Sequence, residues 1–470
     1  MKTARRDNKT GGAEVGSAAE LGGELGTKEV VHDAVWGEQG AGGPNYRAVS
    51  AFSAFVLITK ADIGLGVLTL PVVFQVLGIV PGVLIILAVM AIVAYCAAQI
   101  GPFKQRHPEC YTLTEAGAIF GGRAASEYFF VMYMLDMIFT VAGALISLST
   151  ALNALSTHGA CTAVFVAVIA AFGFLCCSVR TLNHVAPIGW VGLFCLVTSV
   201  LVLAVSVGVQ DRPADAPPTG DWGREVKLFG TPTFAEAMAA VNQIVFAGSA
   251  TSTFFGIVSE MREPKQYTRS MLSSMAFLTG VYVAIGTVVY YYCGQYVSSP
   301  ALGSAGPLMK KVCYGIAIPG LLASLTLYGH LAGKALFVRI LGGSRHLTSS
   351  TPTHWVTWLG LQAGCMLVAY VIAEAIPNFS SVISLVGSIV KPSVSIIPYT
   401  FMWWHDNWRF VRPEERTARM KWLAALNVLL FLVGAFIMVA GTYGSVKDLI
   451  KTSASTGPWS CKDNSNSVHE

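Results

Sequence analysis

Residues 51–74 read AFSAFVLITKADIGLGVLTLPVVF, a membrane-length apolar run broken near its middle by Gly64, Leu65, Gly66 and Pro71. Residues 233–264 read TFAEAMAAVNQIVFAGSATSTFFGIVSEMREP, with a weak point at Ala247, Gly248, Ser249, Ala250 and Thr251. Hydrocarbon offers no partner to a backbone N–H or C=O, so a helix broken at that depth must line a cavity or be buried in protein. Two such breaks at matching places in two halves of a chain are the sequence pointer to a transporter's substrate site.

Composition sets the class. The chain has 470 residues, 54% hydrophobic and 12% charged, with a mean hydropathy of +0.59. Soluble domains carry about 25% charged residues, so this is an integral membrane protein in contact with a lipid bilayer. The net charge of +5 would suggest nucleic acid in a soluble chain. Without a basic patch interleaved with aromatics, its cations read as topology determinants, and no nucleic-acid partner is expected. Residues 1–45 are rich in Gly, Glu and Lys and read as a disordered cytoplasmic tail without the apolar region of a signal peptide.

A helix needs roughly 20 apolar residues to cross a bilayer. That rule predicts an all-α membrane protein of about eleven spans: 49–77, 80–101, 127–156, 161–179, 185–209, 234–260, 271–296, 314–341, 355–375, 379–404 and 421–443. The Pro-rich stretch 210–233 then separates two five-helix halves, 49–209 and 234–404, leaving 421–443 as an extra helix and 444–470 as an outer tail. The connecting loops on the N-terminal side hold Lys104, Arg106, Arg123, Arg180, Arg262, Lys265, Arg269, Arg339, Arg345, Arg409, Arg412, Arg416, Arg419 and Lys421, against Arg212, Arg224, Lys227, Lys310 and Lys311 on the other side. The positive-inside rule puts the N-terminus in the cytoplasm and, with an odd span count, the C-terminus outside. Thr112-Leu-Thr-Glu115 is a capping box and predicts a short helix at the cytoplasmic surface before the third span.

Ten cysteines are too few for a disulfide framework in a chain of this length. Cys161, Cys313 and Cys461 fall in outer segments, where a pair among them is open. No CxxC pair or His–Cys cluster points to a metal, and no cofactor is expected.

The block GLGVLTLP (Gly64–Pro71), the sequence Ser259-Glu-Met-Arg-Glu-Pro264 and the eleven-span pattern resemble the amino acid/auxin permease family. HLAGKALFVRIL (His330–Leu341) and the following GGSRHL (Gly342–Leu347) are similar to the fungal neutral amino-acid permeases within it. The resemblance covers most of 46–443. It implies the five-plus-five inverted-repeat fold of the amino acid–polyamine–organocation superfamily, and secondary active uptake of amino acids, commonly coupled to protons.

The chemistry at the breaks suits an amino-acid zwitterion. Free N–H groups and the positive dipole end of an outer half-helix suit a carboxylate. Free carbonyls of the inner half-helices suit an ammonium or a cation. Small residues allow the main chain to approach, so Ile63, Gly64, Leu65 and Gly66, with Ala247, Gly248, Ser249, Ala250 and Thr251, are expected to hold the substrate backbone. Phe246, Phe254 and Phe255 are the candidates to touch its side chain. The competing reading is that the glycines only let helices pack closely.

Charges at a helix centre cost about 2.5–3.5 kcal/mol and mark function. Asp62 and Lys60 precede the first break; they pair with neighbouring segments, or Asp62 exchanges a proton during the cycle. Asp136, one turn from Tyr133, carries a proton, lines the pocket or makes a helix contact. His330 and Lys334 share a helix face, and Lys334 either stands where sodium binds in related transporters or snorkels to the cytoplasmic interface. Lys391 could neutralise Asp136 or another carboxylate. Glu260, Arg262 and Glu263 form a gate pair or a solvated inner end. His184 is expected at the interface, and Tyr290–Tyr292 and Trp403–Trp404 fit interface belts.

These residues predict a proton-coupled symporter of neutral, aromatic or bulky aliphatic amino acids in the plasma membrane. An exporter in a vacuolar membrane and an amino-acid-sensing receptor with the same fold are the alternatives. Scattered ionisable residues, with no HExxH and no nucleophile–base cluster, argue against an enzyme.

Overall fold

The computed structural model describes residues 31–33, 37–39, 49–179, 182–217, 220, 222–342, 344, 346, 351–376, 378–453 and 457–467, with only the backbone path over 182–188. The expected disordered tail, Arg180, Arg345, Leu347 and the side chain of His184 lie outside the described residues, apart from one hairpin. There β1 (Val31–Asp33) pairs antiparallel with β2 (Gly37–Gln39) in the unit formed by residues 1–45. Residues 46–470 form a second unit, helical almost throughout.

The first expected span is interrupted. Helix α1 (Ala51–Asp62) starts on the Ser50 hydroxyl, which accepts from the Ser53 N–H. It stops where Ile63 takes ψ 37°. A 3-10 turn over Gly66–Leu68 follows, and α2 (Leu70–Leu77) restarts the helix with Pro71 in its first turn. Proline fits there because the first helical N–H groups have no intrahelical acceptor. Gly78, at φ 86°, ends α2 and turns the chain into α3 (Ile79–Ala98) and α4 (Ile100–Arg106). The predicted capping box is present: Thr112 and Glu115 cap α5 (Leu113–Ser156), whose first turns kink away from the rest at Gly122, φ 68°. The kink makes those turns the short helix the sequence predicts. α6 (Thr162–Cys177) and α7 (Leu182–Val209) complete the first half.

The second half opens with α8 (Phe234–Ala247) behind another capping box, Thr233 with Glu236. It too is interrupted, by Gly248–Ala250 and a 3-10 turn at Thr251–Thr253, before α9 (Phe254–Glu260). Four helical passes follow, as in the first half: α10 (Tyr267–Cys293), α11 (Pro307–Leu341), α12 (Pro352–Ala375), and the bent series α13 (Phe379–Ile389), α14 (Lys391–Ser395) and α15 (Ile397–Asn407). α16 (Ala418–Ser453) is the extra helix.

Three counterpart pairs pack together, α3 against α10, α5 against α11 and α6 against α12, and the two interrupted spans meet through α2 and α8. This is the relation expected of two inverted repeats. By length and hydropathy, eight of the described helices can cross a membrane, or nine when the pair bent by 49° at Ile389–Lys391 counts as one span. Two of the eleven expected spans fall short of that measure. The first is divided between α1 and α2, and the fourth, α6, has 16 residues.

Cys161 is bonded to Cys461; Cys313, expected in an outer segment, is instead free and buried in the core within α11. The expected interface belts are only half present. Tyr291 and Tyr292 are exposed, whereas Tyr290 and Trp403 are buried, and the Tyr290 hydroxyl accepts from the Lys227 N–H.

Candidate functional site

The two breaks meet at the centre of the bundle. A Cβ added to Gly66 would lie 2.4 Å from the Ala247 Cα, so the backbones touch there. Gly248 packs against Met90, whose Sδ would lie 2.5 Å from an added Cβ. For these two glycines the smallness serves close packing. Gly64 differs: its added Cβ would meet only the Ser324 Oγ, at 3.6 Å. It lines a small enclosed cavity with Ala61, Asp62, Leu65, Thr140, Phe246, Ala250, Ser324, Tyr328 and Lys391. The cavity holds about 10 Å³, room for about one water molecule.

Asp62 ties the breaks together. Its Oδ1 accepts the Ala250 N–H at 2.9 Å, a peptide group freed by the interruption of the second helix. Its Oδ2 is buried and meets no donor. Tyrosines meet carbonyls where the helices end, although the Asp62 carbonyl also accepts the Gly64 N–H at 2.8 Å. Tyr282 of α10 directs its hydroxyl at the Asp62 carbonyl (3.0 Å) and the Ala247 carbonyl (2.7 Å), and Tyr328 of α11 donates to the Ala61 carbonyl at 2.8 Å. α14 supports the second break, with the Ser395 hydroxyl donating to the Ser249 carbonyl at 3.0 Å and Thr251 reaching the Val394 carbonyl at 3.5 Å.

Charge is paired beside the cavity. Lys391 Nζ stands 2.8 Å from Asp136 Oδ1, both essentially buried, and the Ser252 hydroxyl donates to Asp136 Oδ2 at 3.2 Å. Lys391 also lies 5.0 Å from the centre of the Phe246 ring, a cation–π distance. Lys60 is buried and donates from Nζ to Ser324 Oγ at 2.9 Å, joining α1 to α11.

The sequence expectations separate into three groups on this geometry. Asp62, Gly64, Leu65, Phe246 and Ala250 line the cavity. Ile63, Gly66, Ala247, Gly248, Ser249 and Thr251 are buried in or against the breaks without being among its lining residues, and so are Phe254 and Phe255 in α9. Lys334 lies outside the cavity lining, so of its two readings the place beside the first helix is not the one it takes. It sits within electrostatic reach of Glu260, whose Oε1 accepts from the Tyr111 hydroxyl at 3.0 Å. The lysine between the first helix and α11 is Lys60. His330, one turn before Lys334, is buried edge-on to Trp358. Burial raises the Tyr111 hydroxyl well above the ordinary tyrosine range, with the Glu260 carboxylate adding to it, so this residue is a neutral hydrogen-bond donor.

Tyr282, Tyr328, Ser324 and Thr140 were missed by sequence reading. A hydroxyl in the middle of an apolar span was the available signal, but many such groups bond only to their own helix, as Thr140 does to the Asp136 carbonyl.

Residues 47–447 match the family described as transmembrane amino acid transporter protein. A protein of Gibberella moniliformis described as a transmembrane transporter is 34% identical over 92% of this chain and 91% of its own. The N amino acid transport system protein of Neurospora crassa is 32% identical over 84% of this chain and 83% of its own. Among solved structures, a sodium-coupled sialic acid symporter shares the fold at a TM-score of 0.53 and 12% identity, covering 88% of this chain and 92% of that one. The inward-facing structure of Mhp1 does so at 0.51 and 14%, covering 91% and 96%. Interrupted helices, packed counterparts and a sequence match over nearly the whole helical unit agree, and the chain belongs to the transmembrane amino acid transporter family.

Proposed function

We propose that this chain is a proton-coupled symporter of neutral amino acids that works by alternating access, with Asp62 as the proton carrier. The observation that carries this reading is the Asp62 carboxylate on the Ala250 N–H, at the wall of a cavity between two interrupted helices. A carboxylate of the protein there occupies a peptide donor of the kind that suits the carboxylate of a zwitterion. Of the two acids, Asp136 is neutralised by Lys391, whereas Asp62 keeps an oxygen that no donor meets. Asp62 is therefore the group available to take a proton. Lys60 supports protons over sodium, because its ammonium already bridges α1 and α11 through Ser324. Leu65 and Phe246 give the cavity an apolar side, which favours a neutral substrate side chain.

The substrate backbone lies along Ile63–Gly66 and Ala247–Thr251, with Phe246 nearest its side chain and Phe254 and Phe255 behind. A cavity of about 10 Å³ is a closed form, so admitting an amino acid requires the half-helices to move apart. The topology is eleven crossings, counting α1–α2 as the first and α6 as the fourth, with the N-terminus in the cytoplasm and the membrane that of the cell surface. The Cys161–Cys461 bond supports this orientation, since disulfides persist on the oxidising side of a membrane.

Uptake of labelled neutral amino acids into proteoliposomes, under separate proton and sodium gradients, tests the proposal. A proton gradient should drive accumulation, and Asp62→Asn should remove that drive while substrate exchange across the membrane continues. Accumulation driven by sodium alone, or an undiminished proton drive in Asp62→Asn, would overturn it.

A further inference from the structure

At the far end of α4 and α15, away from the cavity, three side chains that ligate metals converge. His107 caps the end of α4, and His405 and Asp406 lie in the last turn of α15. His107 Nε2 is 2.9 Å and His405 Nδ1 3.0 Å from the same oxygen, Asp406 Oδ1. All three donor atoms lie within 4.8 Å of one another, and among the described residues no other group of His, Cys, Asp or Glu does this. We propose that His107, His405 and Asp406 form a binding site for a divalent transition-metal ion of the zinc class.

The spacing suits such an ion. Bonds of about 2.0–2.2 Å to nitrogen and oxygen, arranged tetrahedrally, set donors about 3.3–3.5 Å apart. The observed edges of 2.9 and 3.0 Å reach that value with an outward shift of a few tenths of an ångström. Two imidazoles select zinc and its neighbours over calcium and magnesium, which take oxygen ligands. The side chains of His107 and His405 remain 21% and 12% exposed, leaving a fourth position open to water.

The surroundings hold the donors in the orientation a metal needs. Glu109 Oε1 stands 3.7 Å from His107 Nδ1, on the opposite side of the ring from the site. Binding the ion displaces the N–H that Nε2 directs at Asp406 Oδ1, and a proton then carried on Nδ1 faces the Glu109 carboxylate, 3.7 Å away and beyond hydrogen-bond distance. Arg106 donates to Asp406 Oδ2 at 3.2 Å and leaves Oδ1 to the site. Phe103 packs on the His107 ring and Phe410 on that of His405. With the ion in place, Arg106 and the dication face two carboxylates, Asp406 and Glu109, so most of the added charge is balanced. The ion would join the end of an element from the first half to one from the second.

The test uses the full chain, purified in detergent and stripped with chelator, in competition with a chromophoric zinc chelator. One Zn²⁺ per chain is expected. His107→Ala and His405→Ala should each weaken it at least about 100-fold, and Glu109→Gln about 10-fold, with the stoichiometry kept. Unchanged zinc affinity in His107→Ala and His405→Ala, or no saturable binding by the wild-type chain, overturns the proposal. A second measurement needs no variant. Co²⁺ added to the wild-type protein should give the intense visible bands of a near-tetrahedral ion, and the weak spectrum of hydrated Co²⁺ would equally overturn it.

Discussion

Lys391 and Asp136 are separated by 255 positions in sequence and by 2.8 Å in space, and both are essentially buried. Removing one partner of a buried ion pair costs about 3–5 kcal/mol, because the survivor is left charged and unpaired. Lys391→Met should therefore lower the thermal unfolding midpoint of the purified protein, and adding Asp136→Asn should recover most of the loss. Equal midpoints for the single and double variants would show that the pair carries no such energy. The glycines of the first break divide in the same local way. Gly66→Ala forces a methyl group into the Ala247 backbone, whereas Gly64→Ala places one at ordinary contact with Ser324. Gly66→Ala should reduce the amount of folded protein at the membrane. Gly64→Ala should insert normally and transport poorly, since its methyl group enters the cavity; expression blots read beside uptake separate the two effects.

Among elements, the interrupted helices draw on neighbours for hydrogen bonds at their broken ends. Tyr282 of α10 meets carbonyls at both breaks, Asp62 in one and Ala247 in the other. Loss of a buried hydrogen-bond partner costs about 1–3 kcal/mol, the desolvation of the group left behind. Tyr282→Phe removes a hydroxyl and keeps the ring, so it should reduce uptake several-fold while the protein still reaches the membrane. Undiminished uptake would mean that water replaces the hydroxyl at no cost. The positions of the breaks were legible because Gly64, Gly66, Gly248 and Pro71 stand inside apolar runs, where helix-breaking residues are conspicuous. Tyr282 was not legible. Its role depends on which helix α10 packs against, and nothing in the surrounding TGVYVAIG sequence states that.

For the whole molecule, the Cys161–Cys461 bond fixes two places 300 residues apart on one side of the membrane. The tail it holds continues along the bundle: Asn464 hydrogen-bonds Asn153 and Ser149 of α5, and Lys310 of α11 donates to the carbonyls of Ser465 and Asn466. A membrane-impermeant thiol reagent applied to intact cells should label Cys461 only after reduction. A Cys introduced at Arg416, in the α15–α16 connection, should stay unlabelled. Labelling of the Arg416→Cys chain from outside, or of Cys461 only in permeabilised cells, would reverse the proposed orientation.

The sequence alone determined that this chain is a helical membrane protein with two interrupted spans, each starting one half of the bundle. Those properties follow from hydropathy, helix length and backbone chemistry, which act within some thirty residues. The tertiary structure alone decided that Asp62 reaches the second break, that Lys391 meets Asp136, that Lys60 bridges α1 to α11, and which cysteine Cys161 joins. Each of these contacts joins segments more than a hundred residues apart. Which one forms is set by how the two halves pack across the centre, and no local pattern encodes that.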